Sequence, residues 1–254
     1  MANVFERHGV MHLSASTING WITQPALTLL KIAGISDGEA GPAAWRGQGV
    51  DRAAAKAALE PTVQEADLFA LADKVFDDNL SSAINDHSAD RIEKERKALH
   101  SYVSNAAGFY RGLGEKPEAE QGKVTIKIDG IAVPWIGYYD LLYADKVRDT
   151  KTVGRMTSTV SAGHCRQAAI YAHATKREPW IDYVGTKEVR AFRVDNVNAW
   201  LGQLHHAAKS LERVLSFSDD IFECCRCVYP DTDHWMWSET TKQAAKDIWQ
   251  MEIQ

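Results

Sequence analysis

Three residues near the middle of the chain have the types and spacing to do chemistry: Asp140, Asp149 and Lys151. Asp149 and Lys151 lie two apart in Arg148-Asp-Thr-Lys-Thr152, and on an extended strand residues two apart project from the same face. Asp140 closes Gly137-Tyr-Tyr-Asp140 on the preceding predicted strand, from which its carboxylate can converge on that face. Two close carboxylates repel unless a proton or a cation lies between them. A hard divalent ion such as Mg²⁺ or Mn²⁺ takes carboxylate and backbone carbonyl oxygens, and the Thr150 carbonyl is a candidate for the second kind. A neighbouring lysine orients or helps deprotonate a water and stabilises charge on a phosphate. Together these parts suit metal-assisted hydrolysis of a phosphodiester. An Asp and a Lys so spaced, taken alone, more often form a surface ion pair. The surroundings therefore decide.

The elements that must hold these residues are legible in the pattern. Helical spacing of Ile18, Ile22, Leu29 and Ile32 predicts a helix over 17–33, led in by Ser14-Ala-Ser16, split or kinked at Pro25 and stopped at Gly34. Further helices are predicted from Pro42 to Leu59, over 63–80, and over 89–113, where the mixed charges from Arg91 to Lys97 read as a solvated face. The period then changes. Val124 to Ile128 alternates, Asp129-Gly130 signals a turn, and 131–143 resumes an extended pattern. A strand over 147–152, a helix over 157–175, strands over 180–184 and 189–194, a helix over 196–217 and a mixed tail follow. The expectation is a single α/β domain over 1–254, with a mainly helical part at 1–115, a catalytic sheet and helix at 120–195, and a helical part at 196–254.

The 254 residues are 45% hydrophobic and 25% charged, which excludes disorder as the main state. No apolar run approaches the roughly 20 residues of a membrane span, and the first residues show no signal-peptide pattern. With four cysteines and no disulfide framework, a reducing cytoplasm is the expected location. The net charge is −5, yet Leu141 to Val194 holds ten Lys and Arg against five Asp and Glu, a local anion-facing stretch.

Gly137-Tyr-Tyr-Asp140, Asp149-Thr-Lys151-Thr152 and, on the next helix, Gln167-Ala-Ala-Ile-Tyr171 resemble the PD-(D/E)XK nucleases, in particular the RecB-like and phage exonuclease branch. The three motifs stand in the family's order with similar gaps. Upstream, Trp45-Arg-Gly-Gln-Gly-Val-Asp51 resembles the family's N-terminal helix motif, with Asp51 where relatives carry a His or Glu ligand, and Leu13-Ser-Ala-Ser16 resembles its lead-in. The resemblance implies a restriction-endonuclease-like mixed sheet flanked by helices and a Mg²⁺- or Mn²⁺-dependent deoxyribonuclease. It further implies an exonuclease on DNA ends in recombination or replication, of phage type. Asp140, Asp149 and Asp51 would bind the metal, Lys151 would position the attacking water, and Gln167 and Tyr171 would lie near the metal and the DNA backbone. Glu118 or Glu120 would stand for an acid of some relatives. DNA is the implied partner; a single-strand annealing protein and a homo-oligomer are further implied. The alternative is a DNA-end or partner-binding protein on the same fold without hydrolysis.

Arg148, Arg155, Arg166, Lys176 and Arg177 flank the predicted site and are candidates for phosphate contacts. His164 lies close enough to the Gln167 face to touch DNA. Cys224, Cys225 and Cys227 invite comparison with the [4Fe–4S] cluster of some relatives, but Gln24 stands at the N-terminal Cys position and adjacent cysteines do not readily share a cluster. Their spacing with His234 fits no standard zinc pattern. Buried or incidental thiols are expected instead, with Cys165 in the core. His234-Trp-Met-Trp237 is expected to pack the tail, with base stacking as the alternative.

Overall fold

The computed structural model describes residues 2–36, 40–84 and 87–251. In chain order the elements are α1 (Val4–Arg7), α2 (Ala15–Thr23), α3 (Pro25–Ile32), α4 (Pro42–Leu59), α5 (Glu65–Ser82), α6 (Ala89–Gly112), β1 (Ala119–Ile126), β2 (Trp135–Leu142), β3 (Lys146–Thr152), α7 (Ala162–Thr175), β4 (Glu178–Val184), β5 (Val189–Arg193), α8 (Val197–Leu215), α9 (Ile221–Cys225) and α10 (Glu239–Trp249). The fold is mixed α/β, a five-stranded sheet with flanking helices and a helical N-terminal part. No described helix is long and apolar enough to cross a membrane.

The chain divides into two compact units. One comprises 1–38, 124–137 and 196–254; the other comprises 39–123 and 138–195. In the first unit, α8 presents Leu204, Ala208, Leu211 and Leu215 as one buried stripe, spaced for a helix face. Leu13 and Trp135, both fully buried, form a β-bridge fixed by the Leu13 N–H to Pro134 carbonyl bond (2.9 Å) and the Ile136 N–H to Leu13 carbonyl bond (2.8 Å). Pro25 begins α3 and cannot continue the hydrogen-bond ladder of α2, so the predicted 17–33 helix is two helices.

The second unit holds Asp51, Asp140, Asp149, Lys151, Gln167 and Tyr171. Its helical layer packs the alanine-rich face of α4 (Ala53, Ala54, Ala57) against Leu68, Ala72 and Phe76 of α5 and Leu99, Tyr102 and Val103 of α6. Gly49 makes this close: a Cβ there would lie 2.9 Å from the Ala72 carbonyl oxygen.

The sheet order is β1-β2-β3-β4-β5. β2 and β3 pair antiparallel, β3 and β4 parallel with α7 as the crossover, and β4 and β5 antiparallel. Thr150 faces Asp182 in register and Lys151 faces Tyr183, so alternate residues of β3 and β4 serve opposite faces. α7 starts at Ala162, five residues later than predicted. Ser161 takes the N-cap by accepting the His164 N–H, and Thr157 spends its hydroxyl on the Thr159 carbonyl.

Candidate active site

β3 brings Asp149 and Lys151 onto one face, as their spacing requires. Lys151 Nζ lies 2.7 Å from Asp149 Oδ2, with the carboxylate 2% and the lysine 26% exposed. The contact is an ion pair rather than an aligned hydrogen bond, since that oxygen meets no donor at bonding angles. Leu141 pairs with Arg148 across β2 and β3, which makes Asp140 and Asp149 neighbours one step further on. There the Thr150 N–H donates to Asp140 Oδ2 at 2.7 Å. Because the N–H and C=O of one strand residue point to the same side, the Thr150 carbonyl faces the same edge.

Asp51, on α4, joins this group electrostatically. Burial and then the charge of Asp140 push its carboxyl well above the ordinary value. Asp140 is raised to about 7 by burial and by Asp149, and Asp149 is raised by burial against the opposing pull of Lys151. The two aspartates hold Lys151 firmly protonated despite its own burial. Lys151 is thus held as a cation beside Asp149. Asp51 Oδ1 is buried with no hydrogen-bond partner, as is Asp149 Oδ2. Asp149 Oδ2 is neutralised by Lys151, whereas the Asp51 oxygen has no partner, and an unsatisfied buried carboxylate oxygen is a donor that a hard cation takes. Among the described residues, however, no three His, Cys, Asp or Glu side chains stand close enough to enclose an ion as placed. The donor chemistry fits a divalent cation, and the side chains would have to close on it.

The Trp45-Arg46-Gly47 stretch explains how α4 is seated. Arg46 is buried in an ion pair with Glu95, donates to Thr152 Oγ1 at 3.2 Å and lies 4.4 Å above the Tyr102 ring. Gly47 lets the helix approach, since a Cβ would stand 3.3 Å from Thr152 Oγ1. This places Asp51 one helical turn on.

On α7, Gln167 Nε2 donates to Tyr171 Oη at 2.6 Å, so the two motif residues form one unit. Burial and the charge of Asp149 keep Tyr171 a neutral phenol. The motif missed one participant. Gln121 Nε2 donates to Asp140 Oδ1 at 3.3 Å from a left-handed backbone (φ 50°). Gln121 and Gly122 lie ahead of the alternation that starts at Val124, so the sequence pattern does not include them in the strand. Glu118 and Glu120, the acids suggested for this region, are both exposed, and Glu118 pairs with Arg177 at 2.8 Å.

The basic residues divide. Arg148 does not face the carboxylate cluster. Its even register turns it to the opposite side of β3, where it is 3% exposed and makes a bidentate pair with Asp182 at 2.7 and 2.6 Å. Arg166 is likewise buried on α7 and is not a surface cation. Arg177 is committed to Glu118 and the Tyr143 carbonyl. Arg155 and Lys176 are exposed. Cys165, Cys224 and Cys225 are buried free thiols and Cys227 is exposed. In the tail, Trp237 is buried and donates to Gln24 Oε1 at 3.1 Å, whereas Trp235 is exposed.

No family model matches this chain, and no curated protein does. Among solved structures, it is similar to a candidate exonuclease from Eubacterium rectale. The TM-score is 0.60 at 14% identity, over 95% of this chain and 91% of that one. The likeness is one of fold, over nearly the whole length of both chains. The structure of SSO0001 gives a TM-score of 0.32 at 14% identity, over 47% of this chain and 68% of that one, too low to carry an argument.

Proposed function

We propose that this chain is a divalent-cation-dependent deoxyribonuclease of the PD-(D/E)XK type, an exonuclease that hydrolyses DNA from its ends in recombination or replication. The observation that carries the reading is the convergence of Asp140, Asp149 and Lys151, with the orphaned Asp51 oxygen in their field. The fold shared with a candidate exonuclease supports it. Asp51, Asp140, Asp149 and the Thr150 carbonyl would hold Mg²⁺ or Mn²⁺. Such an ion, when bound, activates water and stabilises the charge developing on the phosphorane and the leaving oxygen. Lys151, freed from Asp149 once a stronger cation neutralises that carboxylate, would direct its ammonium at the water and the phosphate. Gln167 and Tyr171 would supply neutral hydrogen bonds beside them.

The test is degradation of end-labelled linear DNA with Mg²⁺ or Mn²⁺, beside EDTA, a circular substrate and Lys151→Ala. Metal-dependent loss of the linear form alone, abolished by the substitution, is the expected result. One observation favours a second reading, a DNA-end binding protein without hydrolysis: Lys151 caps Asp149, and the described acids enclose no ion as placed. Intact DNA with both metals, together with retained DNA binding, would establish that reading instead.

A further inference from the structure

We propose that His164 is a neutral hydrogen-bond donor to the backbone phosphate of the DNA strand at this site, its Nε2–H aimed by Tyr183. The proposal rests on the nuclease reading for its substrate. Lys151 and Tyr183 are register partners in the parallel β3–β4 ladder, so both side chains leave the sheet on the face that α7 covers. Tyr183 Oη accepts the Ser161 N–H at 3.1 Å and lies 2.8 Å from His164 Nδ1. The phenol has one proton, and donating it to Nδ1 satisfies both groups. With Nδ1 an acceptor, the neutral ring carries its own proton on Nε2.

Two further features agree. Burial, and then the charge of Lys151, lower the imidazole to about 4, so it stays neutral at ordinary pH. His164, Gln167 and Tyr171 follow one another at helical spacing on a single α7 face, so the ring extends the Gln-Tyr row towards the helix N-terminus. The ring is half-buried and packs edge-on against Tyr183, with centroids 5.5 Å apart. A neutral donor there binds a phosphate oxygen without adding a second positive charge against Lys151.

The experiment compares His164→Gln, His164→Asn and His164→Ala. It reads binding of a fluorescent linear duplex in EDTA by anisotropy, then kcat/KM with Mg²⁺. Gln places its amide nitrogen where the ring has Nε2, whereas Asn reaches only as far as Nδ1 and can still meet Tyr183. The expected result is that Ala and Asn weaken binding and kcat/KM by about tenfold or more, the loss of a hydrogen bond to a charged group, while Gln recovers most of it. Equal Gln and Asn variants, or all three within about twofold of the parent, would overturn the assignment. A parent that binds the duplex and cuts nothing defeats the nuclease reading alone, because the Gln-over-Asn order in binding still decides the role of His164. A parent with no affinity for DNA overturns both.

Discussion

Thr150 holds Asp140: its backbone N–H meets Asp140 Oδ2 at 2.7 Å, while its side chain turns to the other face of the sheet. On that other face Thr150 Oγ1 lies 2.7 Å from Tyr110 Oη, which donates to Asp182 Oδ2 at 2.9 Å, and Asp182 in turn anchors Arg148. One strand residue therefore links the carboxylate cluster to a buried polar network behind it. Replacing Tyr110 with Phe leaves Asp182 and Thr150 each short of a partner in a site without water access. The expected cost is about 1–3 kcal/mol of stability, read by urea unfolding. A variant as stable as the parent would show that the network does not brace β3.

Arg148 and Arg155 separate a buried cation from an exposed one. Arg148→Ala removes both bonds to a fully buried Asp182, and an uncompensated charge of that kind costs about 3–5 kcal/mol. Arg155→Ala is expected to leave the unfolding midpoint unchanged and to reduce the salt dependence of DNA binding, since Arg155 is exposed. Unchanged stability in the first variant would mean that Asp182 is not charged when buried.

These two arginines also show where sequence reading stops. The Asp-x-Lys spacing specifies a shared face because strand periodicity is local, and α4, bounded by Pro42 and Leu59, follows from local signals as well. Arg148 lies next to Asp149 in sequence, but its neighbour in space is Asp182, which the parallel register brings in from 34 residues away. Gln121 reaches Asp140 from a strand whose start was placed at Val124, because a kink in the left-handed region has no periodic signature. The His164–Tyr183 bond likewise depends on which residue of β4 stands beside Lys151. Local pattern gave the chemistry; register gave the supports.

Stability without metal should fall as pH rises. Asp140 titrates near 7 in the folded protein rather than near 3.8, and Asp51 and Asp149 are also raised. A carboxyl raised on folding stabilises fully below its unfolded value, and that contribution is lost as pH climbs through the folded value. In EDTA, Tm is therefore expected to decline between about pH 4 and about pH 7, and Asp140→Asn should flatten the decline. If the carboxylates bind a divalent ion, Mg²⁺ should raise Tm most at the alkaline end, where they are charged, and Asp51→Asn should diminish that rise. A Tm profile independent of Mg²⁺ at alkaline pH would remove the carboxylates as ligands.

Gln121 and Gly122 pose the sharpest test of whether local strain serves the site. Gln121 holds φ at 50°, a conformation costing a non-glycine residue on the order of 1 kcal/mol, and it spends that energy to reach Asp140. Gly122 follows because a Cβ there would fall 2.1 Å from the Tyr139 ring. Gly122→Ala is accordingly expected to destabilise by about 1–3 kcal/mol and to displace β1 from Tyr139. Gln121→Gly is the informative partner. It relieves the backbone and deletes the amide, so stability should hold while DNA cleavage falls, measured on the same end-labelled substrate. Full activity with lost stability would reverse the assignment and make the kink a structural feature of β1 alone.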